Sequence, residues 1–362
     1  MKKILYDNQM FTLQRFGGVT RYFADLMYNL PAGDFVSEIP MRFCENHYVT
    51  ETYAREYEKI MFPKNYRIRR QIYILANKYL ATKAVKNADY DIFHPTYFNP
   101  YFLKHVKHRQ KPFVLTIHDM TFERYPQDVL IYDRTIPHKK LLISQADHII
   151  AVSENTKRDI VELLGTDPSK ISVVHHGYRS IAFPASQLFD RYVLYVGERK
   201  GYKNFFPWLS AIRPLFNLDP NLKIVCTGTP FSKAELKLFN KWNIDERLVH
   251  ISANDAQMAS LYRHALCFVF PSQYEGFGIP ILEAFANGCP VCLSNASCFP
   301  EVAGDAGIFF NPNDAQSMLD VLKELLVSAT LRDELKNKGM ERIKDFSLEQ
   351  MVENTCNIYR KL

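Results

Sequence analysis

At 362 residues the chain is too long for one ordinary core and predicts two domains. With 47% apolar and 23% charged residues it reads as globular, which excludes a disordered or low-complexity chain. A net charge of +6 suits an anionic small molecule or an anionic membrane surface and gives no case for nucleic acid. No apolar run approaches the roughly 20 residues that span a bilayer, the longest cluster being residues 265–270. The opening MKKILYDNQ reaches Asp7 before an apolar region develops, so no secretory signal is expected. The expected location is the cytoplasm, with peripheral contact at the inner face of the plasma membrane as the one departure. Seven cysteines, an odd number without regular spacing, point to a reducing compartment. Cys289 and Cys292 form a C-x-x-C with no second pair, inside what reads as a buried strand at 290–294, so they are expected to pack as small apolar thiols.

Short apolar runs alternate with helical patterns from end to end, the signature of parallel sheets with crossover helices. The first run, residues 3–6, is followed by Phe16-Gly17-Gly18-Val19 and a helix over 19–30, on one face of which lie Tyr22, Phe23, Leu26 and Leu30. The Gly pair before this helix reads either as a plain turn or as an anion site made by free N–H groups. A dinucleotide site would need G-x-G-x-x-G there, and only the pair is present. Residues 66–86 mix Arg67, Arg69, Arg70, Lys78, Lys83 and Lys86 with Ile72, Tyr73, Leu75, Tyr79 and Leu80. That pattern fits a basic helix lying on lipid headgroups, and equally a core-packed helix with a solvated face.

Further strands are expected at 92–94, 113–117, 148–152 and 171–174. Asp89-x-Asp91 precedes the first of these at its amino end, away from the carboxyl ends where ligands of open α/β sheets bind, so a metal role is rejected and no metal site is expected. His94 and the pair His118-Asp119 lie where two strands end, and a neutral imidazole there can donate to or accept from a sugar hydroxyl. His94 reads equally well as a core residue; His175 and His176 read as structural. Periodicity is lost over residues 178–191, around Pro184, marking the join between domains. The second half is more regular, with strands at 192–196, 223–227, 248–251, 266–270, 291–294 and 307–310 and helices at 233–242 and 256–264 among them. Ser347 and Gln350 have capping-box spacing and open a last helix to about Lys361.

The chemistry concentrates in two segments of the second half. Gly197-Glu198-Arg199-Lys200-Gly201-Tyr202-Lys203-Asn204 follows the first strand there and puts cations at the carboxyl end of the sheet. Arg199 and Lys203 are the leading candidates to neutralise a phosphate, with Lys200 as their competitor. In PSQYEGFGIPILEAFANGC, Glu275 and Glu283 bracket a glycine-bearing turn that opens a helix over 280–287. Gly276 and Gly278 let backbone approach a ligand, Pro280 suits the first helical turn, and the free N–H groups of a helix start attract an anion.

Glu-x7-Glu with Gly-Phe-Gly-x-Pro inside, followed by Ala-Asn-Gly-Cys-Pro-Val, resembles the retaining nucleotide-sugar glycosyltransferases of family four. Gly-x-Arg…Lys-Asn and Gly-Gly-Val-x-Arg-Tyr are similar to further motifs of that family, and the resemblance covers essentially the full length. It implies an α/β architecture of the GT-B type, two Rossmann-like parallel-sheet domains facing each other across a cleft. The first domain would be residues 1–180 and the second 190–346, with a helix at 347–362 returning to the first. By the same resemblance Glu275 orients the donor sugar, Glu283 holds the ribose, and Arg199 with Lys203 holds the diphosphate. Gly17, Gly18, Gly276, Phe277, Gly278 and Ile279 complete the donor site. His118 contacts the donor sugar, and His94 and Asp119 face the acceptor. The implied reaction moves a hexose from a nucleotide diphosphate sugar to a hydroxyl with retention, by front-face attack and without a cofactor or metal. The strings look most like bacterial polysaccharide mannosyltransferases using GDP-mannose and a lipid-linked glycan acceptor. A UDP-sugar donor, a nucleotide-sugar epimerase of the same architecture and a non-catalytic glycan-binding subunit are the alternatives.

Overall fold

The computed structural model describes residues 1–59, 65–108, 110–128, 134–179 and 186–362. Of the join at 178–191, residues 180–185, including Pro184, lie outside the described residues. The chain divides into two compact units, Met1–Gly177 with Leu348–Leu362, and Tyr178–Ser347.

The first unit carries β1 (Lys2–Tyr6), β2 (Phe35–Glu38), β3 (Ile92–His94), β4 (Val114–Ile117), β5 (His148–Ala151) and β6 (Ile171–Val173). They form parallel sheets of order β2-β1-β3 and β4-β5-β6, joined by an isolated parallel bridge between Phe93 and Phe113. Sequence periodicity does not find β2. It is a four-residue edge strand in which only Phe35 is buried, so it carries neither alternation nor an apolar run. The helix predicted at 19–30 runs Gly18–Tyr28, and its buried face is Tyr22, Phe23, Ala24, Leu26 and Met27.

The last helix, Leu348–Lys361, belongs to this unit and buries Met351, Val352, Cys356 and Tyr359 in its core. A buried chain of polar groups ties it down. The Tyr359 hydroxyl lies 2.9 Å from that of Tyr6 and 2.6 Å from Nδ1 of His94. Nε2 of His94 then reaches the Thr116 hydroxyl at 2.9 Å. His94 is completely buried, and burial pushes its pKa down to about 3.

The second unit is one parallel sheet of order β12-β11-β10-β7-β8-β9, from β7 (Tyr192–Tyr195), β8 (Lys223–Cys226), β9 (Leu248–His250), β10 (Cys267–Phe270), β11 (Val291–Ser294) and β12 (Gly307–Phe310). β7, β10 and β11 are buried at every position, as strands covered by helices on both faces must be. Trp208, Phe205, Leu209 and Ile212 pack over Tyr195, Ile224 and Val269 in the core of this unit. Cys289 and Cys292 are buried free thiols with pKa values raised by burial, in keeping with apolar packing. Consecutive strands run outward from the centre in opposite directions, so β7 and β10 are neighbours without being consecutive. At such a reversal the loops leaving the two strands diverge and open a crevice at their carboxyl ends.

The buried histidine sets a pH dependence. Its neutral form is favoured in the folded state, so the stability it contributes is complete above the ordinary imidazole value of 6.5 and is lost as pH falls from there toward about 3. Urea unfolding of the wild type is expected to lose up to about 1.4 kcal/mol per pH unit below pH 6.5 from this residue. His94→Asn is expected to be less stable at pH 7.5 and to show a correspondingly shallower decline.

Candidate functional site

The two loops at the reversal point of the second sheet hold Arg199, Lys203, Glu275, Gly276, Phe277 and Gly278 of the predicted residues. The loop after β7 closes in a short 3₁₀ turn, Gly201–Lys203, and Asn204 takes a left-handed conformation before the helix Phe205–Ile212. The loop after β10 runs to Gly278, which caps the helix Ile279–Ala286, one residue earlier than predicted. At φ +93° a Cβ on Gly278 would be strained, and it would meet Ile281 Cδ1 at 3.1 Å and Phe299 Cε1 at 3.2 Å. No side chain caps this helix start. The loops are bonded to each other where the Gln273 N–H donates to the Tyr202 carbonyl at 2.7 Å.

Lys203 Nζ lies 2.7 Å from Glu275 Oε1, with both side chains mostly buried. Two residues named by the motifs, 72 positions apart in the chain, are thus a direct ion pair. The ammonium also lies 5.2 Å from the centre of the Tyr202 ring and 5.8 Å from that of Phe270. The backbone of Glu275 is clamped by Ser297, which donates to its carbonyl at 2.6 Å and accepts from its N–H at 3.2 Å. Ser297 holds a left-handed conformation at φ +55° to do so. Glu283, on the helix, accepts from the hydroxyl of buried Tyr262 at 3.0 Å. Phe277 is buried edge-on against Phe346.

Arg199 differs from its expected use. The guanidinium is buried, pairs with Glu235 at 2.7 Å, donates to the carbonyl of Thr229 at 2.7 Å and stands over the Phe231 ring at 4.8 Å. Glu235 is itself the third residue of a capping box with Ser232. The guanidinium fastens the 229–235 segment, and of its nitrogens Nη1 lacks a bonded partner. Lys200 is exposed. Nearby, Gly228 lies so close to Gly197 that a Cβ there would fall 2.8 Å from its carbonyl oxygen.

In the first unit His118 follows β4. Tyr22 and Phe23 meet its ring edge-on at 5.0 and 5.9 Å, and His176 stacks on it at 5.4 Å. Both ring nitrogens are buried without a hydrogen-bond partner. Burial first, and then His94 and Lys139, push its pKa down to about 3, so the imidazole is neutral. Gly17 and Gly18 lie where expected, before and at the start of the helix Gly18–Tyr28, which no side chain caps.

The two expected acceptor residues are engaged elsewhere. Both ring nitrogens of His94 face hydroxyls in the core, so it presents none outward. The Asp119 carboxylate accepts from the Thr121 N–H at 2.9 Å, and its carbonyl accepts from Lys139 at 3.0 Å. Asp89 and Asp91, the rejected metal pair, both bind Lys3.

Sequence reasoning did not single out Ser297, Tyr262 or Glu235. Ser297 could have been suspected from its place just after β11, at the same sheet edge as the Glu275 loop. Tyr262 lies within a helix and nothing local marks it, whereas Glu235 is marked only by its capping-box spacing from Ser232.

Two units of parallel sheet with crossover helices, the second with its ion-paired loops at the point of strand reversal, constitute the GT-B fold of glycosyltransferases. Residues 16–179 match the family model described as Glycosyltransferase Family 4, and residues 181–342 match Glycosyl transferases group 1. The chain belongs to the family-four glycosyltransferases. It is 29% identical over 289 residues to the O-antigen chain mannosyltransferase B of Escherichia coli, covering 74% of each chain. With the O-antigen chain mannosyltransferase RfbU of Salmonella typhimurium it shares 28% over 247 residues, 66% of this chain and 68% of the relative. Among solved structures, Anabaena HepE in complex with UDP and glucose superposes with a TM-score of 0.75 at 15% identity over 100% of both chains, a likeness of fold.

The buried pair yields a stability test. Glu235→Ala leaves Arg199 uncompensated and is expected to cost about 3 kcal/mol or more in chemical denaturation. The double variant Glu235→Leu with Arg199→Met, which removes both charges, is expected to recover most of that loss.

Proposed function

We propose that the chain transfers a hexose, mannose from GDP-mannose in the first instance, to a hydroxyl of a growing lipid-linked glycan in cell-surface polysaccharide synthesis. The anomeric configuration is retained and no metal ion takes part. The observation that carries this reading is the Lys203–Glu275 pair on a glycine-bearing elbow at the strand reversal. A diphosphate carries more negative charge than one carboxylate, so a bound donor competes for the lysine. A cation about 4 Å from a phosphate gains roughly 4 kcal/mol at an effective dielectric near 20.

Release of Glu275 from Lys203 leaves its carboxylate, on a backbone held by Ser297, to accept from donor sugar hydroxyls. Lys203 and the uncapped helix start at Gly278 then meet the charge that accumulates on the departing diphosphate, and only the part that grows in the transition state accelerates the reaction. Glu283, oriented by Tyr262, holds the ribose hydroxyls. Attack by the acceptor hydroxyl on the face from which the nucleotide leaves retains configuration, and the leaving phosphate takes the acceptor proton. The unbonded nitrogens of neutral His118 suit a sugar hydroxyl, for which a buried polar group without a partner is otherwise costly.

Mannose is favoured by the two O-antigen mannosyltransferases among the relatives. A lipid-linked acceptor is favoured by a Campylobacter jejuni relative, 29% identical over 218 residues, whose name places its substrate on diphospho-undecaprenol. That acceptor implies work at a membrane surface. A UDP-sugar is the second reading, since solved structures of the same fold hold UDP.

A screen of GDP-, UDP-, ADP- and TDP-sugars by thermal shift and donor hydrolysis is expected to show stabilisation by GDP-mannose that survives EDTA. A response that requires added manganese would overturn the metal-free mechanism, and conversion of the donor sugar to its epimer without acceptor would favour an epimerase. Lys203→Ala is expected to lower turnover more than tenfold, about 1.4 kcal/mol or more of transition-state stabilisation, while the protein stays folded. Unchanged turnover would remove the lysine from the mechanism.

A further inference from the structure

The helix Tyr66–Asn87 has two apolar faces. One is buried in the first unit through Tyr73, Ala81 and Val85, with Asn77 bonded to the backbone of Arg42 and Phe43. The other lies in solvent. Ile68, Ile72, Leu75 and Tyr79 are 51, 39, 71 and 69% exposed, and their spacing of four, three and four residues aligns them along one side of the helix. Leu13, also exposed, ends the short helix Gln9–Leu13 that packs against this one. Single exposed apolar residues are ordinary, whereas a continuous exposed row marks an interaction surface.

Charge decides what covers it. Arg67, Lys78, Lys83 and Lys86 are exposed on the same helix, and its sequence contains no acidic residue. A second copy of the chain would set these cations against each other. Nucleic acid would leave the apolar row unexplained. An anionic bilayer satisfies both features, with aliphatic side chains entering the headgroup boundary and lysines meeting lipid phosphates. Among the described residues no helix is long and apolar enough to cross a membrane, so the helix lies on the surface.

We infer that the exposed face of the helix Tyr66–Asn87 is a docking surface for an anionic lipid bilayer, with Leu75 and Tyr79 as its apolar anchors. Its value to the enzyme rests on the lipid-linked acceptor proposed above, but lipid binding is measured without donor or acceptor. The full chain is to be sedimented with phosphatidylcholine vesicles and with vesicles that also contain phosphatidylglycerol, at low and high salt. Binding is expected only to the anionic vesicles. Leu75→Gln with Tyr79→Gln is expected to weaken it roughly tenfold or more by removing the inserted apolar area. Lys83→Gln with Lys86→Gln is expected to weaken it roughly fivefold per charge and to reduce its salt dependence. Thermal unfolding and donor hydrolysis of both variants are expected to match the wild type, since all four side chains are exposed and remote in sequence from the loops that hold Lys203 and Glu275. No binding to anionic vesicles, or binding that neither pair of substitutions alters, overturns the proposal and leaves the transferase reading intact. Vesicle binding without hydrolysis of any donor sustains the surface and overturns the transferase reading instead.

Discussion

The ion pair between Lys203 and Glu275 joins the two loops that leave the second sheet where its strand order reverses, and the chemistry of that unit is arranged around it. The pair exists because β7 and β10 are hydrogen-bonded neighbours although two strands, β8 and β9, intervene in sequence. Its geometry is held from several sides. Gln273 bonds the one loop to the other, Ser297 fixes the backbone of Glu275, and Gly278 turns the chain into a helix where a Cβ would collide with Phe299. Each charge compensates the other, which avoids the cost of isolated charges in a partly buried place.

Arg199 shows the contrasting use of a cation at the same sheet edge. Its partner Glu235 is provided by the protein, its Nη2 donates to loop carbonyls, and it is almost wholly buried. Such a guanidinium stabilises a conformation. Lys203, on a flexible stem, joins one loop to the other through Glu275. In the first unit the same contrast separates two histidines. His94 is closed into a chain of hydroxyls that secures the last helix, whereas His118, one strand away, has neither nitrogen satisfied.

The strands of the second unit were legible in sequence because parallel strands covered on both faces read as unbroken apolar runs, and Val291–Ser294 and Gly307–Phe310 have the predicted bounds. Edge strand β2 was not, since FVSE offers one buried side chain and no period. At the site, glycines, Pro280 and the two glutamates were legible because turn and helix-start chemistry is local. Ser297 and Tyr262 were not, because what makes them part of the site is a bond to a residue 22 or 21 positions away across the sheet edge. Both His94 and His118 end a strand, and His94 read equally well as a core residue; the hydroxyls of Thr116 and of Tyr359, 265 residues further on, decide that it is one.

By itself the amino-acid sequence determined the α/β class, the two-part organisation, the glycine-bearing turns and the family, all of which rest on short-range pattern: apolar period, helix starts, and residue types at fixed spacing. Tertiary structure decided which carboxylate each cation meets, which histidine is closed off and which apolar row of the helix Tyr66–Asn87 meets solvent. Those outcomes depend on the partner that each side chain meets from elsewhere in the chain, and a compensated charge differs from an available one only through that partner.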